Sequence, residues 1–520
     1  MKTSLLLLSA SFAALLSTAA FIPVPKMFDT VAVTGGTISG TLNKTGDVHV
    51  FRGIPFAAPP VGILRWKAPQ PVKPWSGIRA CAAFGPSPMQ GAPAPFGPWS
   101  AEYLIAPEPI SEDCLYLNVW TGARSANEKR PVLLWIYGGG FNSGGGNVPL
   151  YDGEATARKG VIYVSANYRV GPFGFFAHPE LTRESGTNAS GNYGLMDQVS
   201  ALKWVKANIA QFGGDPNNVT IAGQSAGSMS VNCLVASPLA KNLFTKVIAE
   251  SGASLARPMA TLAQAEESGL KVMQALGTSS LAELRAKPAA DIMQKGQGSV
   301  RGPIVDGYVL PEPMAALFGA GRQNKVTLLT GWNEDEGMAF GPPKNAADYK
   351  RQIRQQYGAD AETLLRYYPG ETDAQAAASQ NNLSRDQIFG AQNFGWANLE
   401  SQQGRNVYVY RFTRKLPATG DYARYGAFHT GEVAYAYDNL QFIDHQLRPL
   451  NATDDALAKT MSAYWVNFIK TGNPDGKGVP HWPAYRVADK QIMTLGDKVQ
   501  AQSIPDAPSL DFLFTLLSRP

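Results

Sequence analysis

A serine set between small residues is the first feature of this chain that could do chemistry. Gly223-Gln224-Ser225-Ala226-Gly227 follows the short apolar run Val219-Thr220-Ile221-Ala222, and an Ala-, Ser- and Val-rich stretch comes after it. At a strand-to-helix junction this G-x-S-x-G pattern makes a nucleophile elbow, a turn so sharp that the positions two before and two after the serine must be small. The hydroxyl is pushed out above the sheet, and the helix that follows turns its N-terminal amides toward any negative charge developing there. Chance is the rival explanation, because the chain holds 52 glycines. The surroundings decide: an acyl-transfer serine needs a base, an acid that orients the base, and amide donors for an oxyanion.

Each of these has a candidate. In the order nucleophile, acid, histidine, two of the five histidines, His49 and His178, come too early. Of His429, His445 and His481, His429 sits in Phe428-His429-Thr430-Gly431-Glu432, on a predicted loop after a strand-like run. The acid should leave a strand end between Ser225 and His429. Val326–Thr330 is followed there by Gly331-Trp332-Asn333-Glu334-Asp335-Glu336-Gly337, and residue type alone does not choose among its three carboxylates. For the oxyanion, Gly138-Gly139-Gly140 directly follows the apolar run Pro131–Tyr137, so backbone amides can approach a tetrahedral centre with no side chain in the way.

The elements that must position these residues alternate. Pro131–Tyr137 and Val161–Tyr168 are apolar on both faces, as strands in the middle of a parallel sheet are. Leu195, Val199, Leu202, Val205 and Ile209 fall at helical spacing and predict a helix over 194–212, stopped by Gly213-Gly214-Asp215-Pro216. Lys246–Ile248, Glu112–Trp120, Val407–Phe412 and Gln491–Leu495 read as further strands, 31–55 as an N-terminal hairpin or meander, and 260–320 and 343–400 as helical insertions. The Pro-, Gly- and Trp-rich stretch 59–110 shows no period and reads as a long ordered loop, its part 86–110 lying over the site. With no repeat or low-complexity linker, the expectation is a mainly parallel α/β sheet in one large domain, 21–520.

Composition is that of an ordinary globular protein: 520 residues, 44% hydrophobic and 17% charged, with a net charge of +5. No basic run or interleaved aromatic patch points to nucleic acid. Met1-Lys2, the apolar run Leu5–Leu16 and the small residues Ser17-Thr18-Ala19-Ala20 read as a signal peptide over 1–20, cut near Ala19 or Ala20. That run is too short to span a bilayer, and no later stretch is long enough. The expectation is therefore a soluble protein, secreted or periplasmic, with no membrane span. In an oxidising compartment Cys81, Cys114 and Cys233 allow one pair and one leftover, in three possible pairings. Nothing in the sequence speaks to oligomeric state.

Phe212-Gly213-Gly214, Val219-Thr220-Ile221 and Gly223–Gly227 together resemble the serine signature of type-B carboxylesterases, the cholinesterase-like family. Glu112–Val119 resembles the family's second signature, and Tyr137–Phe141, Asn167-Tyr168-Arg169, Gly191–Gln198 and Pro303–Leu310 extend the likeness, which runs from about residue 31 to 500. The resemblance implies an α/β-hydrolase fold, a small-molecule ester substrate, and no metal or cofactor. It implies Ser225 as nucleophile, Glu336 as the acid (from the motif ending Asp-Glu-Gly), and His429 as the base (from His-x-x-Glu). It also implies Gly139, Gly140 and Ala226 as oxyanion donors and Ser251, in Glu-Ser-Gly, as a support behind the triad. Within the family the chain looks like the bacterial para-nitrobenzyl esterases, and Leu255–Pro258 and Gly302–Leu310 resemble fumonisin esterases.

Some positions depart from the family. Relatives carry a cysteine in Phe-Gly-Pro-x-Cys, but Phe84-Gly85-Pro86-Ser87 is followed here by Pro88, so the disulfide that the resemblance implies must shift to Cys81–Cys114 or be absent, and the shifted pair is the expectation. Cholinesterases carry a glutamate just before the serine. Here it is Gln224, which speaks against choline esters. Trp99, Phe141, Trp332, Met338, Phe340, Phe394 and Trp396 are candidate pocket residues, and Arg257 and Arg301 candidates for a substrate carboxylate. The reading is an exported serine carboxylesterase. Carbamate or amide cleavage, or toxin-ester cleavage, on the same machinery is the alternative; the filled triad positions argue against a non-catalytic adhesion protein.

Overall fold

The computed structural model describes residues 29–256, 258–296, 298–299, 302–337 and 344–519. The signal-peptide reading of 1–20, and Arg257, Arg301, Met338 and Phe340, lie outside the described residues.

The main sheet has eleven strands among the described residues. In chain order they are β1 (Thr41–Leu42), β2 (His49–Pro55), β3 (Tyr116–Thr121), β4 (Arg130–Ile136), β5 (Ile162–Ala166), β6 (Gly214–Gln224), β7 (Lys246–Glu250), β8 (Thr327–Asn333), β9 (Val407–Phe412), β10 (Gln491–Leu495) and β11 (Val499–Ser503). Across the sheet they run β11-β10-β9-β8-β7-β6-β4-β5-β3-β2-β1. From β5 to β10 every neighbouring pair is parallel, and the pairs at the flanks are antiparallel. This is the α/β-hydrolase arrangement that the alternating strands and helices predict. The doubly apolar runs take the middle: Val132, Leu133, Leu134 and Trp135 of β4 are all fully buried.

The helix that delivers the chain to the elbow, α1 (Tyr193–Asn208), starts one residue before its predicted start and ends in a 3-10 turn, Ile209–Phe212. Its five predicted apolar residues are all buried. The helix after the elbow is α2 (Ala226–Ala236). The two insertions are helical where the sequence predicts; the second ends in α3 (Ala391–Gln402), packed on β8 and β9. The longest helix among the described residues, α4 (Ala452–Thr471), starts at a capping box of Asn451 and Asp454.

Two expectations need correction here. The strand predicted from Glu112 begins only at Tyr116, because Glu112 stays off the sheet in an ion pair with Arg65 at 2.5 Å. The Cys81–Cys114 disulfide is not formed; Cys81, Cys114 and Cys233 are all buried free thiols. The two sulfurs have separate surroundings. Cys81 Sγ lies 4.0 Å from the Gly53 carbonyl, while Cys114 borders a void of about 10 Å³ with Arg65, Trp66 and Arg169. Burial pushes the Cys81 thiol up to about 11 and Cys233 up to about 12, so neither offers a reactive thiolate.

Among the described residues no helix is long and apolar enough to cross a membrane.

Candidate active site

The turn between β6 and α2 carries its strain at Ser225, whose φ of 58° and ψ of −125° lie in a region that non-glycine residues rarely enter. Packing enforces it. A Cβ on Gly227 would stand 2.0 Å from the Ile136 carbonyl of the neighbouring strand, so no larger residue fits there. The Ser225 amide donates to the Glu250 carbonyl at 2.9 Å, which ties the turn to the end of β7. Ala226 opens α2, so its amide belongs to the first turn of a helix and has no partner within that helix.

The glycine run after β4 curls beside this turn. Gly139 has φ 115°, and a Cβ there would stand 2.3 Å from the Ser143 carbonyl. Its own carbonyl accepts the Asn142 and Ser143 amides at 3.0 and 3.1 Å, which sets the loop's shape. Gly139, Gly140, Ser225, Ala226 and His429 all border one cavity of about 1390 Å³.

His429 lies beyond β9 on a loop held from two sides. Asn333 Nδ2 donates to the Phe428 carbonyl at 2.8 Å, and Asp335 Oδ2 accepts the Ala427 amide at 2.9 Å. These bonds settle which carboxylate of the Glu334-Asp335-Glu336 cluster faces the ring. Asp335 is a clasp on the histidine loop, and Glu334 pairs with Arg411 at 2.8 Å. Only Glu336 reaches the histidine, with Oε2 at 2.8 Å from His429 Nδ1, and its Oε1 accepts the Asn333 amide at 2.8 Å.

Both members of this pair are buried, and burial moves each toward its neutral form. It pushes Glu336 up to about 8, against the pull of the Asn333 amide and the Ser251 hydroxyl, and His429 down to about 4, against the charge of Glu432. Ser251, on the turn after β7, is fully buried behind Glu336, although its hydroxyl falls short of full hydrogen-bond geometry. When Glu336 is ionised and accepts the Nδ1–H, Nε2 of the neutral ring carries the lone pair that can accept a proton.

Three contacts on the histidine were not legible in the sequence. The Gln224 amide nitrogen lies 3.2 Å from His429 Nε2 and 3.3 Å from Nδ1. Phe389, from a π-helical turn at Asp386–Gly390, stacks on the imidazole with centroids 4.4 Å apart. Trp99 stands edge-on to the ring at 6.2 Å and donates from Nε1 to Thr430 Oγ1 at 3.1 Å. Only Trp99 carried a signal, as an aromatic in a long loop.

Trp99 and Phe141 line the cavity as expected, and the loop from Gln90 to Ile105 forms one wall. Trp332 does not line it. It is fully buried within β8 with the Arg411 guanidinium over its ring, because the strand's apolar residues are taken up by the core. Phe394 and Trp396, on α3, are core residues for the same reason. The described lining contains no Asp, Glu, Lys or Arg. A hydroxyl on a strained turn, an imidazole backed by a carboxylate and a row of glycine amides in one apolar cavity are the parts that acyl transfer requires.

Among known proteins, residues 28–513 match the model of the carboxylesterase family. The chain is 39% identical over 501 residues to fumonisin B1 esterase of Sphingopyxis macrogoltabida, covering 92% of this chain and 89% of that protein. It is 35% identical over 504 residues to para-nitrobenzyl esterase of Bacillus subtilis (strain 168), covering 92% and 97%. It is 31% identical over 496 residues to phenmedipham hydrolase of Pseudarthrobacter oxydans, covering 89% and 94%. A solved structure of a PNB esterase superposes with a TM-score of 0.79 at 33% identity, over 94% of this chain and all (100%) of that one.

Proposed function

This chain belongs to the carboxylesterase family and is a carboxylic ester hydrolase; from that premise we propose that it works through an acyl-enzyme on Ser225. Ser225 Oγ attacks the ester carbonyl while His429 Nε2 takes its proton. Glu336 holds the Nδ1–H and stabilises the imidazolium that forms. The oxyanion of the tetrahedral adduct is met by the amides of Gly139, Gly140 and Ala226. Collapse breaks the bond to the alcohol oxygen, which leaves with the proton from His429. Water then repeats the sequence on the acyl-enzyme, releasing the acid and restoring Ser225. The observation that carries this reading is the shared cavity: a strained Ser225 opens onto the same space as His429, whose Nδ1 lies 2.8 Å from Glu336.

The cavity argues for substrate class. At about 1390 Å³ it exceeds the usual range of small-molecule sites, roughly 300–1,000 Å³. Each methylene buried in it is worth about 0.8 kcal/mol. Esters with sizeable apolar groups are therefore the substrates of choice, including short and medium aryl or alkyl esters such as p-nitrophenyl butyrate. Emulsified long-chain triglyceride is a poor one. The likeness to a fumonisin B1 esterase supports a second reading, in which Arg257 or Arg301 meets an anionic acyl group. The same machinery extends to carbamates, in line with the likeness to phenmedipham hydrolase. A kcat/KM panel across acyl length, acyl charge and matched carbamates decides among these. Export to the periplasm or beyond follows from the reading of residues 1–20, and a secreted form starting near residue 20 is its test.

The mechanism itself is tested by labelling. An organophosphonate should add one group per chain at Ser225, and Ser225→Ala should lower kcat by roughly 10⁶. Labelling elsewhere, or an alanine variant near wild-type activity, overturns it.

A further inference from the structure

Two glutamates lie beneath the site with no part in the steps above. Glu250 ends β7, is fully buried, and its backbone carbonyl holds the Ser225 amide. Its Oε1 accepts from Tyr437 OH at 2.9 Å and from Trp465 Nε1 of α4 at 2.8 Å; among the described residues its Oε2 has no partner. Glu432, three residues past His429 and also fully buried, accepts from Asn333 Nδ2 on Oε2 and has its own amide nearby, while among the described residues its Oε1 makes no full hydrogen bond. Among the described residues neither forms an ion pair.

The groups facing them complete the case. Glu250 faces Glu432, Tyr437 and Trp465, with Tyr151, Tyr163 and Tyr410 nearby. Glu432 faces Glu336, His429, Asn333 and Glu250, with Tyr103, Tyr151 and Tyr410 nearby. The arginines that act in this region, Arg385 and Arg411, act on Glu336. Ionised, the pair would place two negative charges in an interior where the described residues offer neither of them an ion-pair partner, and would leave an oxygen of each short of a full hydrogen bond. One proton removes a charge and supplies a donor.

We propose that Glu250 and Glu432 hold a proton between them at neutral pH, forming a buried acid pair that joins the nucleophile strand to the histidine loop and keeps excess negative charge away from His429. Burial and like charge act in the same direction: burial and Glu432 push Glu250 up to about 8, and burial and Glu336 push Glu432 up to about 7. The sign for stability is the reverse of that for an ion-paired carboxylate. An unfolded glutamate loses its proton near pH 4.3 while the folded pair keeps one, so stability is full at acid pH and falls as pH rises from about 4.5 to 8.

The test is thermal unfolding of the full chain at pH 5 and pH 8 in the wild type and in Glu250→Gln, with Glu432→Gln as the second variant. Glutamine copies the protonated acid: its oxygen can accept from Tyr437 and Trp465, and its amide can donate where the proton sat. The expected result is a variant Tm above wild type by about 3 °C or more at pH 8, with the gap closing to about 1 °C at pH 5. A pH 8 Tm at or below wild type in both variants overturns the proposal. So does a wild-type Tm at pH 8 that depends on which monovalent cation is present, since that would put a cation in the proton's place. A second readout is kcat between pH 7 and 9, where Glu336 also titrates: Glu250→Gln should shift the inflection there, and a merely structural role would leave it in place. That readout rests on His429 as the base, whereas the Tm readout stands without it.

Discussion

Replacing Gln224 by glutamate would set a negative charge where a neutral amide now rests against the histidine. The amide nitrogen is 3.2 Å from His429 Nε2. For a unit charge pair at that separation and an effective dielectric near 20, the interaction is about 5 kcal/mol, or nearly 4 pKa units at about 1.4 kcal/mol each. Position 224 is only 2% exposed, so desolvation of the new carboxylate offsets part of this, leaving a rise of about 1–3 units. Burial holds His429 down to about 4, so the acid limb of kcat/KM should move from near 4 to between about 5 and 7. A raised histidine pKa protonates the base in mildly acidic solution. The variant should therefore lose activity at pH 5, where the wild type keeps it, and match the wild type more closely at pH 8. The assay is kcat/KM for p-nitrophenyl butyrate from pH 4.5 to 9 in the wild type, Gln224→Glu and the uncharged control Gln224→Met. A limb that stays within about 0.3 units in Gln224→Glu, with phosphonate labelling intact, refutes the contact; an equal shift in Gln224→Met refutes the electrostatic account.

Two further outcomes follow from the same geometry. Glu336→Gln should lower kcat by about 10³- to 10⁴-fold through loss of the oriented tautomer, whereas Glu334→Gln should cost little and Asp335→Asn should mainly loosen the histidine loop; a crippled Asp335→Asn beside an active Glu336→Gln would move the acid by one residue. Alkylation of the unreduced, denatured chain should modify Cys81, Cys114 and Cys233 alike, and intact mass showing a single modified cysteine would restore the bridge that the fold lacks.

The legible part of the site was the part written in contiguous residues. The elbow, the glycine run after a doubly apolar strand and the parallel sheet around them each rest on a local pattern, and each is where that pattern puts it. The acid shows where locality ends: three adjacent carboxylates look alike in sequence, and hydrogen bonds from distant residues (Ala427 to Asp335, Arg411 to Glu334) leave Glu336 to face His429. The disulfide failed for a related reason. Cysteine arithmetic knows the number of thiols, but whether two sulfurs meet depends on which cavity each side chain enters. Trp332 was misassigned because an aromatic after a strand reads the same whether it faces the pocket or the core.

What no local pattern could disclose is the coupling between β6 and β7. Gln224 and Glu250 are register partners on adjacent parallel strands, and the Ser225 amide bonds the Glu250 carbonyl. The same rung therefore sets three things: the residue that touches His429 Nε2, the height of Ser225, and the depth of Glu250 beneath it. A shift of this rung by one residue would turn every side chain on β6 to the opposite face. It would carry Ser225 away from the histidine and break the Trp465 and Tyr437 bonds that anchor Glu250. The strained serine persists because this rung is rigid on both sides, clamped by Ile136 against Gly227 and by α4 against Glu250.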